Sequence, residues 1–347
     1  MINNIINKLK NKTSTHYEFN IVMNDILSGK ISDKKIADIL YYLAKKRETN
    51  EELLSTLKKL IKFSVNVPLK NKNAIDICGT GGDKKNTFNI STAASFVVAS
   101  LNVMVAKHGN RSSSSLVGSA DIFEYFGYDV RKSPNQIIQM LNKYNICFMF
   151  AQIFHPELKN VHNARKSITI PTIFNIVGPI SNPANVKNQL IGVYDDDLIQ
   201  RLPKILHENG SKNIMTVRSI DGLDEISTTA KNHICILKNK KINEYFLDTQ
   251  ELGLNKIKLS DIQISNKLNA LTSFISVLNN SANKPLIEIT AVNAAAGLII
   301  ANVVDNFQEA LNISLNAIYD KKPYKLFKKF IAEYGDIKKL EKIECEI

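Results

Sequence analysis

Residues 74–83 read AIDICGTGGD, and this stretch decides the fold class of the chain. It starts as a short apolar strand and ends with three glycines in four positions, followed by Asp83. Glycines let the backbone turn tightly and bring its N–H groups close to a ligand. The polar side chains that follow, just ahead of an apolar helix, are Thr87, Asn89, Ser91 and Thr92. A helix N-terminus adds free N–H groups and a positive dipole end, so the stretch is typical of a phosphate-binding loop.

Two observations limit what this glycine-rich stretch can indicate alone. Its spacing matches neither the dinucleotide-binding fingerprint nor the Walker loop. Taken by itself, it is better explained as an ordinary strand-to-helix turn capped by Ser91. Its function therefore depends on what the neighbouring segments contribute.

Downstream of this stretch, short apolar strands alternate with helices. The predicted strands are 74–78, 103–106, 146–151, 190–194 and 213–218. The predicted helices between them are 92–101, 120–126, 135–143 and 198–208. This alternation predicts a mostly parallel sheet flanked by helices. Two further strands, 233–237 and 242–247, are expected to form a hairpin, and helices return at 290–304 and 307–318.

Residues 1–70 carry apolar side chains at helical spacing. Ser32 is the predicted N-cap of one helix, and Thr49 with Glu52 form a predicted capping box at the start of another. The expected fold class is therefore α/β, with a small N-terminal α-helical domain, 1–70, and a larger α/β domain, 71–347, with a mostly parallel central sheet. Proline and glycine in 171–183 suggest a stiff connection, so residues around 165–185 are expected to connect to, or pack on, the helical domain.

The composition bounds the partners and the compartment. The chain has 347 residues, with 45 Lys and Arg against 33 Asp and Glu, a formal net charge of +12. This surplus suits nucleic acid, a membrane surface or a polyphosphate substrate, but a Lys- and Asn-rich compositional bias explains it slightly better. The four cysteines include no CxxC pair, which argues against a disulfide framework and a zinc site. We find no secretory signal, and the apolar segment 291–304 is too short to span a bilayer, so a soluble cytoplasmic protein is expected.

A basic, serine-rich segment follows the second predicted strand. It reads KHGNRSSSS over 107–115 and continues as GSAD over 118–121. Two cations and a run of hydroxyls at the carboxyl end of a strand make a second candidate anion site, at the edge where open α/β sheets bind ligands. The alternative is a polar surface loop, but two such segments on consecutive strands would converge on one crevice. Within the segment, His108 is better explained as a hydrogen-bonding wall residue than as a general base.

Adjacent carboxylates follow the strand 213–218, at Asp224 and Glu225. Carboxylates, water and substrate phosphate oxygens are the ligands that Mg²⁺ takes in proteins. Taken alone, the pair better fits a solvated acidic turn in which Asp224 caps a helix. Arg165 has the geometry to bind a carboxylate substrate through two hydrogen bonds, and with equal weight it fits a structural salt bridge.

The segments described above occur together in a fixed order. They are 79–83, 89–92, 107–115, 118–121, 174–183 and 221–225. Together they closely resemble the anthranilate phosphoribosyltransferase family, from the N-terminal helices to about residue 300. The resemblance implies an α-helical domain and an α/β domain with the active site between them, and a homodimer. It also implies transfer of the phosphoribosyl group of phosphoribosyl pyrophosphate to the amine of anthranilate, a step of tryptophan biosynthesis.

The same resemblance implies a set of site residues. Those expected to bind the two substrates are Gly79, Gly82, Asp83, Thr87, Asn89, Ile90, Ser91, Thr92, Lys107, His108, Gly109, Asn110, Arg111, Ser112, Ser113, Ser114, Ser115, Ser119 and Arg165. Gly79, Asn110 and Arg165 are expected to contact anthranilate, with His108 lining its channel. Ser91, Asp224 and Glu225 are expected to hold two Mg²⁺ ions. No catalytic nucleophile is expected, because an aromatic amine is already nucleophilic and the stabilisation of the leaving pyrophosphate is electrostatic.

Three positions depart from the usual pattern of that family. Residues 162–164 lack a common proline, which bears on anthranilate binding; Ile287-Glu288 stands where Arg-Asp is usual, and Lys84 where a glycine is frequent. Two other functions are weighed against the enzyme. A pyrimidine nucleoside phosphorylase shares the architecture but does not require magnesium, and an inactive nucleic-acid-binding relative would account for the positive charge. We favour the enzyme and expect neither a membrane nor a nucleic-acid partner.

Overall fold

The computed structural model of the chain describes residues 2–70, 73–112 and 116–347. Within these residues, seven strands form one sheet. They are β1 (Ile75–Gly79), β2 (Val105–Gly109), β3 (Ile146–Phe150), β4 (Asn188–Gly192), β5 (Asn213–Ser219), β6 (Asn232–Lys238) and β7 (Lys241–Leu247). Their order across the sheet is β3-β2-β1-β4-β5-β6-β7. The first five strands in this order pair in parallel, and the last two join in antiparallel fashion, so the predicted mostly parallel sheet and its hairpin are confirmed.

Burial differs between the parallel strands and the hairpin. Strands β3 and β4 are buried along their whole length, as expected for parallel strands covered on both faces, although β3 lies at one edge of the sheet. Six of the seven residues of β7 are exposed, which suits an edge strand. Asn239 and Lys240, between β6 and β7, both have positive φ angles, of 52° and 63°. Such a pair matches the right-handed twist of a two-residue hairpin and fixes its register.

Sixteen α-helices occur in the described residues. They are α1 (Ile2–Lys10), α2 (His16–Leu27), α3 (Asp33–Lys46), α4 (Asn50–Phe63), α5 (Ile90–Ser100), α6 (Ser119–Tyr125), α7 (Pro134–Tyr144), α8 (Ala151–Phe154), α9 (Lys159–Lys166), α10 (Ile173–Ile180), α11 (Leu198–Glu208), α12 (Lys267–Leu278), α13 (Lys284–Ile300), α14 (Phe307–Tyr319), α15 (Lys322–Tyr334) and α16 (Ile337–Glu344). Thr49 and Glu52 form the predicted capping box of α4. Ser32 is the N-cap residue of α3 as predicted, although its side chain makes no capping hydrogen bond. No helix in these ranges is both long and apolar enough to cross a membrane.

The proline- and glycine-rich segment differs from the stiff connection expected there. It contains the helix α10, which starts with a capping box between Thr172 and Asn175. Pro179 lies in the last turn of this helix, where it removes the one backbone hydrogen bond that an N–H at this position would donate to the carbonyl four residues earlier. The composition alone therefore concealed a helix.

Two hydrophobic cores cover the two faces of the sheet. The larger core joins α5 and α13 to β1 through residues such as Ile77, Val97 and Ala294. The second core joins the N-terminal helices to α10 and to the opposite face of β4, through residues such as Leu57, Val177 and Ile191. The helices α9 and α10 pack with the N-terminal helices. The expected role of residues around 165–185 as a connection to a helical domain stays a prediction. The division into domains at residue 70 stays a prediction.

The sheet topology brings several segments to one edge. Strands β1, β2 and β4 end at Gly79, Gly109 and Gly192, and because they run in parallel these ends are neighbours. Helices α5 and α6 begin after the loops that leave β1 and β2, and residues 220–225 follow β5. This edge is where open α/β sheets bind ligands.

Candidate active site

The glycine-rich loop after β1 is tied to the acidic turn and to β4. The Gly81 N–H donates to Oδ2 of Asp224 over 2.9 Å, and the Thr80 N–H donates to the Gly192 carbonyl over 2.8 Å. Oγ1 of Thr80 in turn accepts from the Tyr194 N–H over 3.1 Å. The loop is therefore held from two sides at the carboxyl edge of the sheet.

The N-terminus of α5 presents polar atoms that find no protein partner. The N-cap residue Asn89 makes no capping bond; its amide donates to the Val117 carbonyl over 3.1 Å instead. Oδ1 of Asn89 and Oγ1 of Thr92 are buried without a hydrogen-bond partner among the described residues. Buried polar atoms are nearly always hydrogen-bonded in proteins. These atoms, at a positive helix end, therefore indicate a site for a polar or anionic ligand.

Lys107 is a buried cation at the same place. Its ammonium group donates to the Ile77 carbonyl over 2.7 Å and to Oγ of Ser91 over 3.4 Å. Burial lowers the pKa of Lys107, and the nearby Asp76 carboxylate opposes that shift. The strand β2 thus fixes a positive charge beside the first turn of α5.

Three carboxylates meet at the acidic turn. Burial, and next the neighbouring Asp83, raises the pKa of Asp224 to about 7. Burial and the charge of Asp224 raise the pKa of Glu225 well above its ordinary value. Such shifts show carboxylates that lack a sufficient counter-charge, which a divalent cation would supply.

The donor set suits Mg²⁺ better than a metal held by protein alone. In the described part of the chain, no group of three or more His, Cys, Asp or Glu side chains could hold a metal ion by itself. Mg²⁺ is usually bound by one or two carboxylates and completes its shell with water and substrate phosphate oxygens. Asp224 and Glu225 fit that pattern. The hydroxyl of Ser91, in the first turn of α5, lines the same cavity and lies close to the Lys107 ammonium group.

Two strands end in glycine because the acidic turn lies directly on them. A Cβ atom on Gly79 would lie 2.9 Å from Oδ2 of Asp224, and one on Gly192 would lie only 1.6 Å from the Asp224 carbonyl oxygen. No side chain fits at Gly192 without moving the backbone of the turn. The absence of side chains at these two positions thus lets the carboxylates reach the sheet edge.

The second polar segment follows β2. Oγ of Ser119, at the start of α6, donates to the Asn110 carbonyl over 3.3 Å, and the Gly118 N–H donates to Oδ2 of Asp121 over 2.8 Å. Arg111 is exposed and forms an ion pair with Glu124, with 2.6 Å between Nη2 and Oε1. The predicted residues Ser113, Ser114 and Ser115 lie outside the described residues.

A different set of side chains forms the opposite wall. The guanidinium of Arg165 lies over the Phe174 ring, 5.8 Å from its centroid, and makes a long contact of 3.5 Å with Oδ1 of Asn175. Burial lowers the pKa of Arg165, and no carboxylate of the described residues forms an ion pair with it. A buried guanidinium without an anion is a candidate site for a carboxylate ligand.

These walls enclose one cavity of about 300 Å³. The predicted site residues that line it are Gly79, Asn89, Ser91, Thr92, Lys107, His108, Gly109, Asn110, Arg111, Ser112, Ser119, Arg165, Asp224 and Glu225. The lining residues that sequence reasoning missed are Cys78, Thr80, Gly81, Val117, Gly118, Ala151, His155, Leu158, Phe174, Asn175, Gly178 and Pro179. Seven of these twelve residues belong to 151–179, whose helices were not predicted from the sequence. The arrangement joins an anion-binding edge to a wall suited to a carboxylate.

Comparisons with known proteins identify the family. Residues 71–322 match the model described as "Glycosyl transferase family, a/b domain". The chain is 54% identical to the anthranilate phosphoribosyltransferase of Nitrosopumilus maritimus over 99% of both chains, and 40% identical to that of Cenarchaeum symbiosum over 90% of this chain and 91% of the other. The chain belongs to the anthranilate phosphoribosyltransferase family. Neither the phosphorylase nor the nucleic-acid-binding alternative has a counterpart among these relatives.

Solved structures agree with the family. The anthranilate phosphoribosyltransferase of Thermus thermophilus superimposes with a TM-score of 0.87 at 26% identity, over 94% of this chain and 98% of the other. The Saccharomyces cerevisiae enzyme in complex with PRPP and Mg superimposes with a TM-score of 0.86 at 25% identity, over 95% of this chain and 97% of the other. The predicted fold and the predicted membership of the anthranilate phosphoribosyltransferase family are therefore confirmed.

Four predicted site residues do not line the cavity. Gly82 lies beside Tyr194, and Asp83 raises the pKa of Asp224. Thr87 pairs with Gln263 in an isolated β-bridge. The side chain of Ile90 is buried in the hydrophobic core, and its N–H donates to the Phe88 carbonyl over 2.7 Å. A residue can line a cavity without binding the ligand, so the assignments of all these site residues stay predictions.

We expect Gly192→Ala to destabilise the protein by at least about 3 kcal/mol, the upper end for overpacking. The reason is that its Cβ would overlap the Asp224 carbonyl. Gly178→Ala is the matched control, because nothing lies within 4 Å of a Cβ there; its effect should stay within about 1 kcal/mol. Urea-unfolding curves measure both changes. Equal midpoints for the two variants would contradict the close approach of the acidic turn to β4.

Proposed function

We propose that this chain transfers the phosphoribosyl group of phosphoribosyl pyrophosphate to the amine of anthranilate, releasing pyrophosphate, in tryptophan biosynthesis. The observation that carries the proposal is one cavity whose two walls suit different ligands. One wall holds the unpaired guanidinium of Arg165; the other holds Lys107, the α5 N-terminus and the Asp224–Glu225 pair. An aromatic carboxylate and a phosphorylated, metal-bound donor complement these walls. The anthranilate phosphoribosyltransferases to which the chain is similar support the same reaction.

We place the donor at the edge of the sheet. Thr92 and Lys107 would donate to the pyrophosphate or phosphate oxygens, since the Thr92 hydroxyl is buried without a partner among the described residues and Lys107 has a buried ammonium. Oδ1 of Asn89 can only accept, so it would bind a ribose hydroxyl of the donor. The remaining donor residues proposed are Gly79, Gly82, Asp83, Thr87, Ile90, Ser91, Gly109, Arg111, Ser112, Ser113, Ser114, Ser115 and Ser119. For Ile90, Asp83 and Thr87 the contribution would be to shape the loop rather than to touch the donor, given where their side chains lie.

Two Mg²⁺ ions per site are proposed, held by Ser91, Asp224 and Glu225. The raised pKa values of Asp224 and Glu225 support this, because a nearby cation would relieve their mutual repulsion. Bound Mg²⁺ would neutralise charge on the departing pyrophosphate. The same metal is bound with PRPP in the Saccharomyces cerevisiae relative.

The residues of the chain would act by positioning and charge. The C1–O bond of the ribose breaks, its electron pair leaves with the pyrophosphate, and the amine nitrogen of anthranilate forms the new bond to C1 and loses a proton. Lys107 and the α5 N-terminus would stabilise the negative charge that develops on the leaving group. Arg165 would hold the carboxylate of anthranilate, with Gly79, Asn110 and His108 beside the ring. A cavity that excludes water protects the activated ribose from hydrolysis.

Asp224→Asn/Glu225→Gln should lower magnesium-dependent turnover by about 100-fold or more, because the cation loses both charged ligands. The measurement is the loss of anthranilate fluorescence in the presence of phosphoribosyl pyrophosphate, with and without Mg²⁺. The matched control, Asp196→Asn/Glu244→Gln, removes a distant carboxylate pair that contacts His233 and should leave turnover within about twofold of wild type. Wild-type turnover in the first double variant would contradict the metal assignment.

Arg165→Lys should raise the KM for anthranilate by about tenfold while the KM for phosphoribosyl pyrophosphate stays nearly constant. A lysine keeps the charge but loses the paired hydrogen bonds of the guanidinium, and tenfold corresponds to about 1.4 kcal/mol. Arg131→Lys is the control, because Arg131 is exposed and pairs only with Asp129 nearby. The measurement is steady-state kinetics with each substrate varied in turn, which gives both KM values. If only the KM for phosphoribosyl pyrophosphate rose, Arg165 would contact that substrate and not anthranilate.

We also propose a homodimer in the cytoplasm. The rings of Tyr17 on α2 and Tyr41 on α3 are 74% and 41% exposed, an apolar surface that a second copy would cover. All four cysteines are free thiols, as is typical of a reducing compartment.

For the homodimer, light scattering should give about 78 kDa, twice the 38.9 kDa of one chain. Tyr17→Asp/Tyr41→Asp should give the monomer mass, because a carboxylate at an apolar interface is left without a partner. Phe246→Asp on the edge strand β7, where the ring is 60% exposed, is the control and should stay dimeric. A monomeric wild-type protein would rule out the dimer.

A further inference from the structure

His155 lines the cavity, and both nitrogens of its ring point at hydrogen-bond acceptors. Nε2 lies 3.0 Å from the Ser181 carbonyl oxygen, and Nδ1 lies 3.0 Å from Oε1 of Glu157. A carbonyl can only accept, so Nε2 carries a proton. An ionised carboxylate can also only accept, so Nδ1 carries a second proton when Glu157 is charged. The geometry is that of an imidazolium paired with a carboxylate.

Glu157 needs such a partner because it is buried. Its side chain is 4% exposed, and its second oxygen, Oε2, has no hydrogen-bond partner among the described residues. In the same residues, the ion pair recorded for Glu157 is the one with His155. A buried carboxylate is costly unless a positive charge compensates it. Glu157 does not itself line the cavity, so it stands behind His155 as seen from the ligand.

The neighbouring charges fit this assignment. The ring of His108 lies 5.2 Å from that of His155, and its Nε2 is buried without a partner in the described residues. Burial, and then the positive charges of His155 and Lys107, hold the pKa of His108 well below its ordinary value. The wall around the acceptor would then carry charge at His155 and Arg165 while His108 stays neutral.

We propose that Glu157 is a positioning residue that holds His155 as an imidazolium, and that this charge, together with Arg165, orients the carboxylate of the acceptor. The role in catalysis rests on the function proposed above. Both N–H groups of His155 are committed to Ser181 and Glu157, so the ring acts on the acceptor through its charge and not through a hydrogen bond. Beside buried groups such a charge is screened less than it would be in bulk water. With its carboxylate drawn to this wall, the acceptor turns its amine toward the ribose.

The protonation state can be read directly by nitrogen NMR of the ring nitrogens. The chain has six histidines, few enough to resolve. A neutral histidine carries a proton on one ring nitrogen and an imidazolium on both, and His155 should carry protons on both nitrogens. His233 also faces two carboxylates, Asp196 at 2.8 Å and Glu244 at 2.5 Å. His233→Gln removes that second signal and leaves His155 to be read alone.

Glu157→Gln gives the complementary test. The amide keeps the shape and can still hydrogen-bond to Nδ1 of His155, but it removes the negative charge. The imidazolium signal should disappear, and the KM for anthranilate should rise on the order of tenfold, with the KM for phosphoribosyl pyrophosphate unchanged within about twofold. Glu52→Gln is the matched control: Glu52 is also buried and forms an ion pair, with Lys46 at 2.6 Å, far from the cavity. This control should lose stability without changing either KM.

The outcomes separate this inference from the proposed function. A neutral His155 in wild-type enzyme that turns over anthranilate overturns the inference and leaves the reaction in place. An imidazolium in a protein that does not consume anthranilate overturns the reaction and leaves the charge assignment in place. Equal rises in both KM values for Glu157→Gln overturn the acceptor role. Should that variant fail to fold, the spectrum of the His233→Gln protein still decides the charge of His155.

Discussion

Asp224 approaches the ends of both β1 and β4, and this close approach is the constraint on which the site depends. Only glycine at 192 leaves room for the Asp224 carbonyl, and a Cβ at 79 would lie 2.9 Å from the Asp224 carboxylate. The turn is held there by the Gly81 N–H, which donates to the same carboxylate. Two buried acids are thereby brought against the first turn of α5, where a cation would offset their repulsion. This crowding of negative charge supports the metal site proposed above.

Local charge, and not the net charge of the protein, explains this chemistry. The surplus of +12 is a property of the whole chain, whereas the site depends on a few buried ionisable groups. Lys107 lies near Asp76, whose pKa burial raises to about 6 while the lysine pulls it down. Asp76 accepts from the Asn182 amide over 2.9 Å and from the His108 N–H over 3.2 Å. These bonds fix the end of β2, and so they fix the direction in which Lys107 points.

The sequence predicted the parts of this site that follow strands. Six of the seven predicted strands lie within two residues of the observed ones at both ends, and the exception, 103–106, ends three residues before β2 does. Buried parallel strands are continuous apolar runs that are easy to recognise. Residues of the glycine loop and of 107–112 were predicted to meet, and parallel topology brings them together. Most residues of the wall that contains Arg165 were not predicted, because α9 and α10 are short and a proline inside α10 argues against a helix there. The side chain of Ile90, inside a polar motif, points into the core; the orientation of a single side chain cannot be read from the sequence pattern around it.

The two walls of the cavity come from different layers of the fold, yet two consecutive residues connect them. Ser181 accepts from His155 on the acceptor wall, and Asn182 donates to Asp76 at the root of the donor wall. Asn182 also donates to the Ala106 carbonyl over 2.8 Å, one residue before Lys107. The segment that follows α10 therefore sets the spacing between the two walls. In the proposed reaction the amine must meet the ribose carbon within a fraction of an ångström. We therefore regard this buried polar connection as the element that brings the two proposed binding surfaces together in one reaction site.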